Sequence, residues 1–167
     1  MLFWFIGTAT LAVWYVFRDP RFDHRFLIVG VLTPDVIDGV WGGARAMHSL
    51  VGSVAILVGV MFATVGRRPL RRRLLAIPIG TFMHLVFDGA FSATQVFWWP
   101  FGGVSFEGAR LPVVERGWVN VPLEAAGLIL CAWAWRMFGL GEKERRTNFV
   151  RSGTLAPSAS FGRSRAR

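Results

Sequence analysis

Long apolar runs alternate along the chain with short polar, Gly- or Arg-rich breaks. Five apolar segments stand out, at 2–17, 26–41, 48–65, 74–91 and 120–140. Each approaches or passes the roughly 17–25 residues that an α-helix needs to cross a hydrocarbon core. Their uniform apolarity predicts helices, and the chain shows no internal repeat. The second segment is the exception. Pro34 disfavours a continuous helix, and Thr33 before it reads as an N-cap, so this helix is predicted to be short or broken at Pro34, spanning or re-entrant. Between the fourth and fifth segments, residues 92–119 are rich in aromatics, Gly and Pro, including the run from Phe97 to Phe101.

Composition moves this pattern into a bilayer. Hydrophobic residues make up 53% of 167 and charged ones 17%, and a soluble domain of this length has too little interior to hide five such runs. The fold predicted is all-α: a polytopic membrane protein of about five transmembrane helices over 1–140, followed by a basic, disordered tail over 141–167. Residues 1–17 lack the basic start of a secretory signal and are read as a membrane helix. Cys131 is the single cysteine and forms no internal disulfide.

The net charge of +9 does not point to nucleic acid, because the basic residues flank apolar runs instead of forming a patch with exposed aromatics. Their distribution orients the chain. With the amino terminus outside, sixteen of the nineteen Lys and Arg residues fall on the cytoplasmic side, and only Arg45, Arg110 and Arg116 lie outside. That is the bias of multi-pass proteins of the cell (inner or plasma) membrane, with the carboxyl terminus cytoplasmic and the lipid bilayer as partner. Trp98 and Trp99 then fit an interfacial aromatic belt. The oligomeric state is not legible.

Within this apolar background a few ionisable residues stand apart, and at membrane depth such groups are costly and mark function. Asp35 and Asp38 are spaced i, i+3, His84 and Asp88 are spaced i, i+4, and His48 opens the third segment. Each pair shares one helix face, and the charge-derived topology brings all five to the outer side. Imidazole with carboxylate suits a transition metal, zinc or manganese, whose bound water can serve as a nucleophile. An Asp left off the metal, Asp38, would be the general base, Arg45 would orient an anionic group, and Ser49 would support a ligand. His24, beside Arg25 on the inner side, is predicted to lie outside the site. Another reading remains open: His84 and Asp88 as a helix-pinning pair, and Asp35 as a helix cap.

Four runs occur in order: Thr-Pro-Asp-Val-Ile-Asp at 33–38, Arg-Ala-Met-His-Ser at 45–49, His-Leu-Val-Phe-Asp at 84–88 and Trp-Trp-Pro-Phe at 98–101. The set resembles the membrane-bound metal-dependent hydrolases, also described as LexA-binding, inner-membrane-associated hydrolases. The resemblance covers residues 23–101. It implies Asp35, Asp38, His48, His84 and Asp88 as metal-site residues with Arg45 beside them. The function expected is hydrolysis of an ester or phosphoester in a lipid or lipid-linked substrate. The alternative is a non-enzymatic membrane protein that moves an ion or proton, or serves structurally within a complex.

Overall fold

The computed structural model describes residues 1–106 and 110–158. Its main helices are α1 (Leu2–Phe17), α2 (His24–Val40), α3 (Leu50–Ala63), α4 (Arg68–Leu74) and α5 (Ala76–Phe87). After two short turns of helix, α6 (Thr94–Phe97) and α7 (Pro112–Glu115), come α8 (Asn120–Met137) and α9 (Lys143–Ser152). Among the described residues there is no strand. The stretch Gly117–Met137 is long and apolar enough to cross a membrane, at 21 residues and a mean hydropathy of 1.3. Leu2–Phe17 and Leu50–Ala63 are shorter apolar helices.

Two glycine seams bring the helices together. The most extensive packing is α2 on α5, followed by α1 on α8. A Cβ on Gly30 would sit 2.1 Å from the carbonyl oxygen of Ile77, and one on Gly80 would sit 2.5 Å from that of Leu27. The second seam is alike: a Cβ on Gly127 would meet the Trp4 nitrogen at 2.1 Å. Small residues let backbones touch, which is the packing mode of helices that gain little from burying one more aliphatic chain. Phe5, Ala9, Val13, Leu27, Val31 and Ala76 fill the space among α1, α2 and α5.

Two expectations fail. Helix α2 runs unbroken through Pro34. Thr33 does not cap a new helix; its hydroxyl donates to the Val29 carbonyl one turn back, at 2.7 Å. The true N-cap is Asp23, whose carboxylate accepts from the Arg25 amide. Proline removes one amide donor, and the long contact with α5 holds the helix together across that gap.

The tail is the other correction. Residues 143–152, expected to lack structure, form α9, and Leu155 joins Ala134, Met137 and Phe138 in a buried cluster. Arg25 reaches across to cap this helix, donating from Nη1 to the carbonyls of Val150 (2.7 Å) and Arg151 (3.0 Å). A helix C-terminus leaves carbonyls without partners, and a guanidinium there satisfies both hydrogen bonding and the dipole. The remainder of the expected disordered tail, 159–167, lies outside the described residues.

The helices alternate in direction, so the bundle has two distinct ends. One gathers the carboxyl ends of α2 and α5 with the amino ends of α1, α3 and α8. The other holds the Arg67–Arg73 run and the docked tail.

Candidate metal centre

Helix α5 positions the first ligand candidate. His84 is wholly buried, and its Nδ1 donates to the Val31 carbonyl at 2.7 Å. A carbonyl only accepts, so Nδ1 carries the proton. Nε2 is buried and has no hydrogen-bond partner among the described residues. The ring is stacked at a tilt on Phe5, with centroids 4.1 Å apart. The glycine seam explains the contact: Gly30 precedes Val31 and Gly80 lies one turn before His84, so the helices are close enough for an imidazole to reach a neighbouring backbone.

His48 repeats the device with a carboxylate. It sits in a single turn of 3₁₀-helix, Ala46–His48, just before α3. Its Nδ1 is 2.7 Å from Asp38 Oδ2, which also accepts from the backbone amides of Arg45 (2.7 Å) and His48 (3.2 Å). Asp38 thus stands on the far side of the ring, and His48 Nε2, like that of His84, is buried without a partner. A carboxylate or carbonyl behind an imidazole that fixes the tautomer and ring plane is the common outer arrangement of metal-binding histidines.

The two free nitrogens face shared oxygens. Asp35 Oδ1 lies 3.5 Å from Nε2 of both histidines. Asp88 Oδ2, buried and unpartnered, lies 3.9 Å from Nε2 of His48 and 4.0 Å from Nε2 of His84. These separations exceed the 2.7–3.2 Å of ordinary N–H···O bonds. Ligand bonds of roughly 2.0–2.1 Å at tetrahedral angles would place neighbouring donor atoms about 3.3–3.4 Å apart. The observed spacing is nearer that of atoms around one ion. Ligand atoms of Asp35, His48 and His84 all lie within 4.8 Å of one another, so this cluster could hold a metal ion. No family model, curated protein or solved structure matches the chain. The reading of the site therefore rests on its geometry.

Of the residues expected here, Asp35, His48, His84 and Asp88 converge. Asp38 does not join them as a ligand and is not poised as a free base, because its Oδ2 is committed to His48 and two amides. Arg45 serves through its backbone; its exposed guanidinium donates to the Trp41 carbonyl at 3.2 Å and does not reach the cluster. Ser49 supports no ligand either. Its Oγ accepts from the Gly52 amide and donates to the Ala46 carbonyl, capping α3.

The cation actually present is Arg116, which the charge-derived topology assigns only to an outer loop. Its Nη2 pairs with Asp88 Oδ1 and donates to the Asp88 carbonyl at 2.9 Å. This occupies one carboxylate oxygen and leaves Oδ2 turned toward the imidazoles. Among the described residues no Lys or Arg pairs with Asp35. The only sequence signal for Arg116 is that it is one of three cations away from the Arg-rich segments. Access is through Asp35, whose side chain is 22% exposed against 1% for Asp88.

Proposed function

We propose that the protein is a multi-pass membrane hydrolase that uses one divalent metal, zinc or manganese, on an ester or phosphoester of a lipid or lipid-linked substrate. The observation that carries this reading is the pair of buried imidazoles, each with Nδ1 occupied, whose free Nε2 atoms share two carboxylates. Two nitrogens and two oxygens suit zinc or manganese better than an all-oxygen cation such as calcium.

Placement in a bilayer is supported by the outward-facing apolar surface. Only 11% of the apolar window in Gly117–Met137 is buried within the protein, unlike the core helix of a soluble domain. Phe62, Val121 and Ile129 are exposed at 75%, 71% and 68%. In this reading the end bearing the site faces outward from the cell membrane and the Arg-rich end faces the cytoplasm, as the positive-inside bias requires. Around the site Val40, Trp41 and Trp118 are strongly exposed, a rim suited to the apolar part of a lipid.

A divalent cation held here supplies Lewis acidity and brings the pKa of water near neutrality. The chain does the rest. The Asp38 carboxylate and the Val31 carbonyl orient the rings of His48 and His84, so both Nε2 atoms face the site before an ion binds. Arg116 fixes Asp88 through Oδ1, which leaves Oδ2 turned toward the imidazoles. Asp35, the accessible carboxylate, would hold the metal through Oδ1, and its second oxygen would take the proton of the attacking water and return it to the departing alkoxide oxygen as the ester bond breaks.

Metal analysis of the purified full chain tests this. One transition metal per chain is expected in the wild type and none in His84→Ala. If the wild type binds no zinc or manganese at micromolar concentration, the metal hydrolase reading fails.

A further inference from the structure

The end opposite the metal cluster carries the densest charge in the chain. Segments 18–21 and 67–73 hold seven arginines and one carboxylate, Asp19. Both of its oxygens are engaged: Oδ2 accepts from Arg72 Nη2 at 2.5 Å, and Oδ1 accepts from the Arg21 amide at 2.9 Å. Arg71 turns elsewhere and donates to the hydroxyl and carbonyl of Thr64, both at 3.2 Å, closing the end of α3. Arg68 and Arg72 are exposed and, spaced i, i+4, share one face of α4. Among the described residues no carboxylate pairs with Arg67, Arg68 or Arg73. Excess like charge on one surface repels itself, and an anion laid across it relieves the repulsion.

What borders these arginines is apolar. Tyr15 and Val16, just before Arg18, are strongly exposed, and so is Val65, just before Arg67. A nucleic acid in water gives such a border no partner, whereas a phospholipid brings phosphate and hydrocarbon side by side. The hydrocarbon has a place to lie. A groove of about 380 Å³ runs between α3 and α5, walled by Val54, Leu57, Ile79 and Phe82 among others. Phe17, the last residue of α1, lines it and stands two residues from Asp19. The hydroxyl of Ser53 in this groove is paired with that of Thr81 at 3.3 Å.

We propose that this end binds an anionic phospholipid, its phosphate on Arg68 and Arg72 and one acyl chain in the groove. A guanidinium fork meets two phosphate oxygens at once. The site rests on the bilayer placement proposed above and is independent of the metal.

Native mass spectrometry of the full chain tests this, in detergent with equal amounts of phosphatidylglycerol and phosphatidylcholine of matched acyl chains. One basic residue near a membrane surface is worth roughly fivefold in the binding of anionic lipid. The wild type is therefore expected to prefer phosphatidylglycerol by on the order of twentyfold. An Arg68→Gln/Arg72→Gln double variant should retain the two lipids alike. Arg45→Gln with Arg110→Gln removes the same charge from the other end and should keep the preference. Val54→Trp fills the groove and should cut phosphatidylglycerol retention severalfold without changing charge. The wild-type comparison needs no variant and stands even where a substitution prevents folding. Three results overturn the proposal: equal retention of both lipids by the wild type, a preference that survives loss of Arg68 and Arg72, or full retention by Val54→Trp. A wrong bilayer placement shows itself separately, as a chain that stays monodisperse without detergent, and overturns it too.

Discussion

The two ends of the bundle treat charge in opposite ways. At the Arg-rich end, the carboxylates Asp23 and Asp19 are each met by a guanidinium: Asp23 receives Arg25 through Nε at 3.0 Å and Nη2 at 2.6 Å, and Arg25 donates from Nη1 to α9. Asp19 accepts from Arg72 at 2.5 Å. At the other end Asp35, Asp88 and two imidazoles are brought together with their facing atoms unpaired. Pairing of the first kind ties a segment down. The second kind is held open by its surroundings, since Asp38, the Val31 carbonyl and Arg116 satisfy only the rear of His48, His84 and Asp88. A cluster that served merely to pin helices would close its own hydrogen bonds.

The sharpest way to break this contrast is to remove a facing atom. His84→Ala or His48→Ala should abolish stoichiometric zinc or manganese, measured on purified protein by elemental analysis. Next is the support behind the ring. Asp38→Asn keeps shape but changes the partner of His48 Nδ1, and a 10–100-fold loss of metal affinity is expected by competition with a chelator. Arg116→Ala should weaken the metal by a smaller factor, on the order of tenfold, because the guanidinium is part-exposed and water replaces some of its work. Arg116→Lys should recover part of that loss, as lysine restores charge but not the paired donors.

At the Arg-rich end the effects should be smaller and depend on acid. Burial works to raise the Asp23 carboxyl, but the Arg25 guanidinium and the amides of Arg25 and Phe26 outweigh it and hold the carboxyl below its ordinary value. A lowered carboxyl contributes stability that is fully present above the unfolded value, near 3.9, and is lost as pH falls through the lower folded value. Docking of α9, followed by proteolysis within 143–158, should therefore persist at about pH 5 and weaken below about pH 4. Asp23→Asn should make docking insensitive over that range. Smallest of all, Arg72→Ala should shift stability by no more than about 1 kcal/mol, since both partners of the Asp19 pair are substantially exposed. A large effect there would erase the distinction between the ends.

How much of this is legible in the sequence depends on whether the cause is local. The helical character and the positions of most helices follow from apolar runs, and the spacings of Asp35 with Asp38 and of His84 with Asp88 bring the right groups near His48. The i, i+3 spacing does not say that Asp35 and Asp38 meet opposite nitrogens of the same ring, because that depends on where the 46–48 turn lies. Continuity of α2 through Pro34 and the folding of 143–152 come from tertiary partners, α5 in one case and Arg25 with Leu155 in the other. Arg116 is hidden for the same reason: its partner Asp88 is 28 residues away in sequence and on another helix.

The Gly30–Gly80 seam has a consequence for how such a centre can be lost. Neither residue is polar and neither touches a donor atom, yet one methyl group at either position would wedge α2 from α5. Val31 would then withdraw from His84, and the ring would be free to turn. Loss of binding by a change that leaves every candidate ligand in place is thus built into the architecture, and a screen confined to histidines and aspartates would never find it.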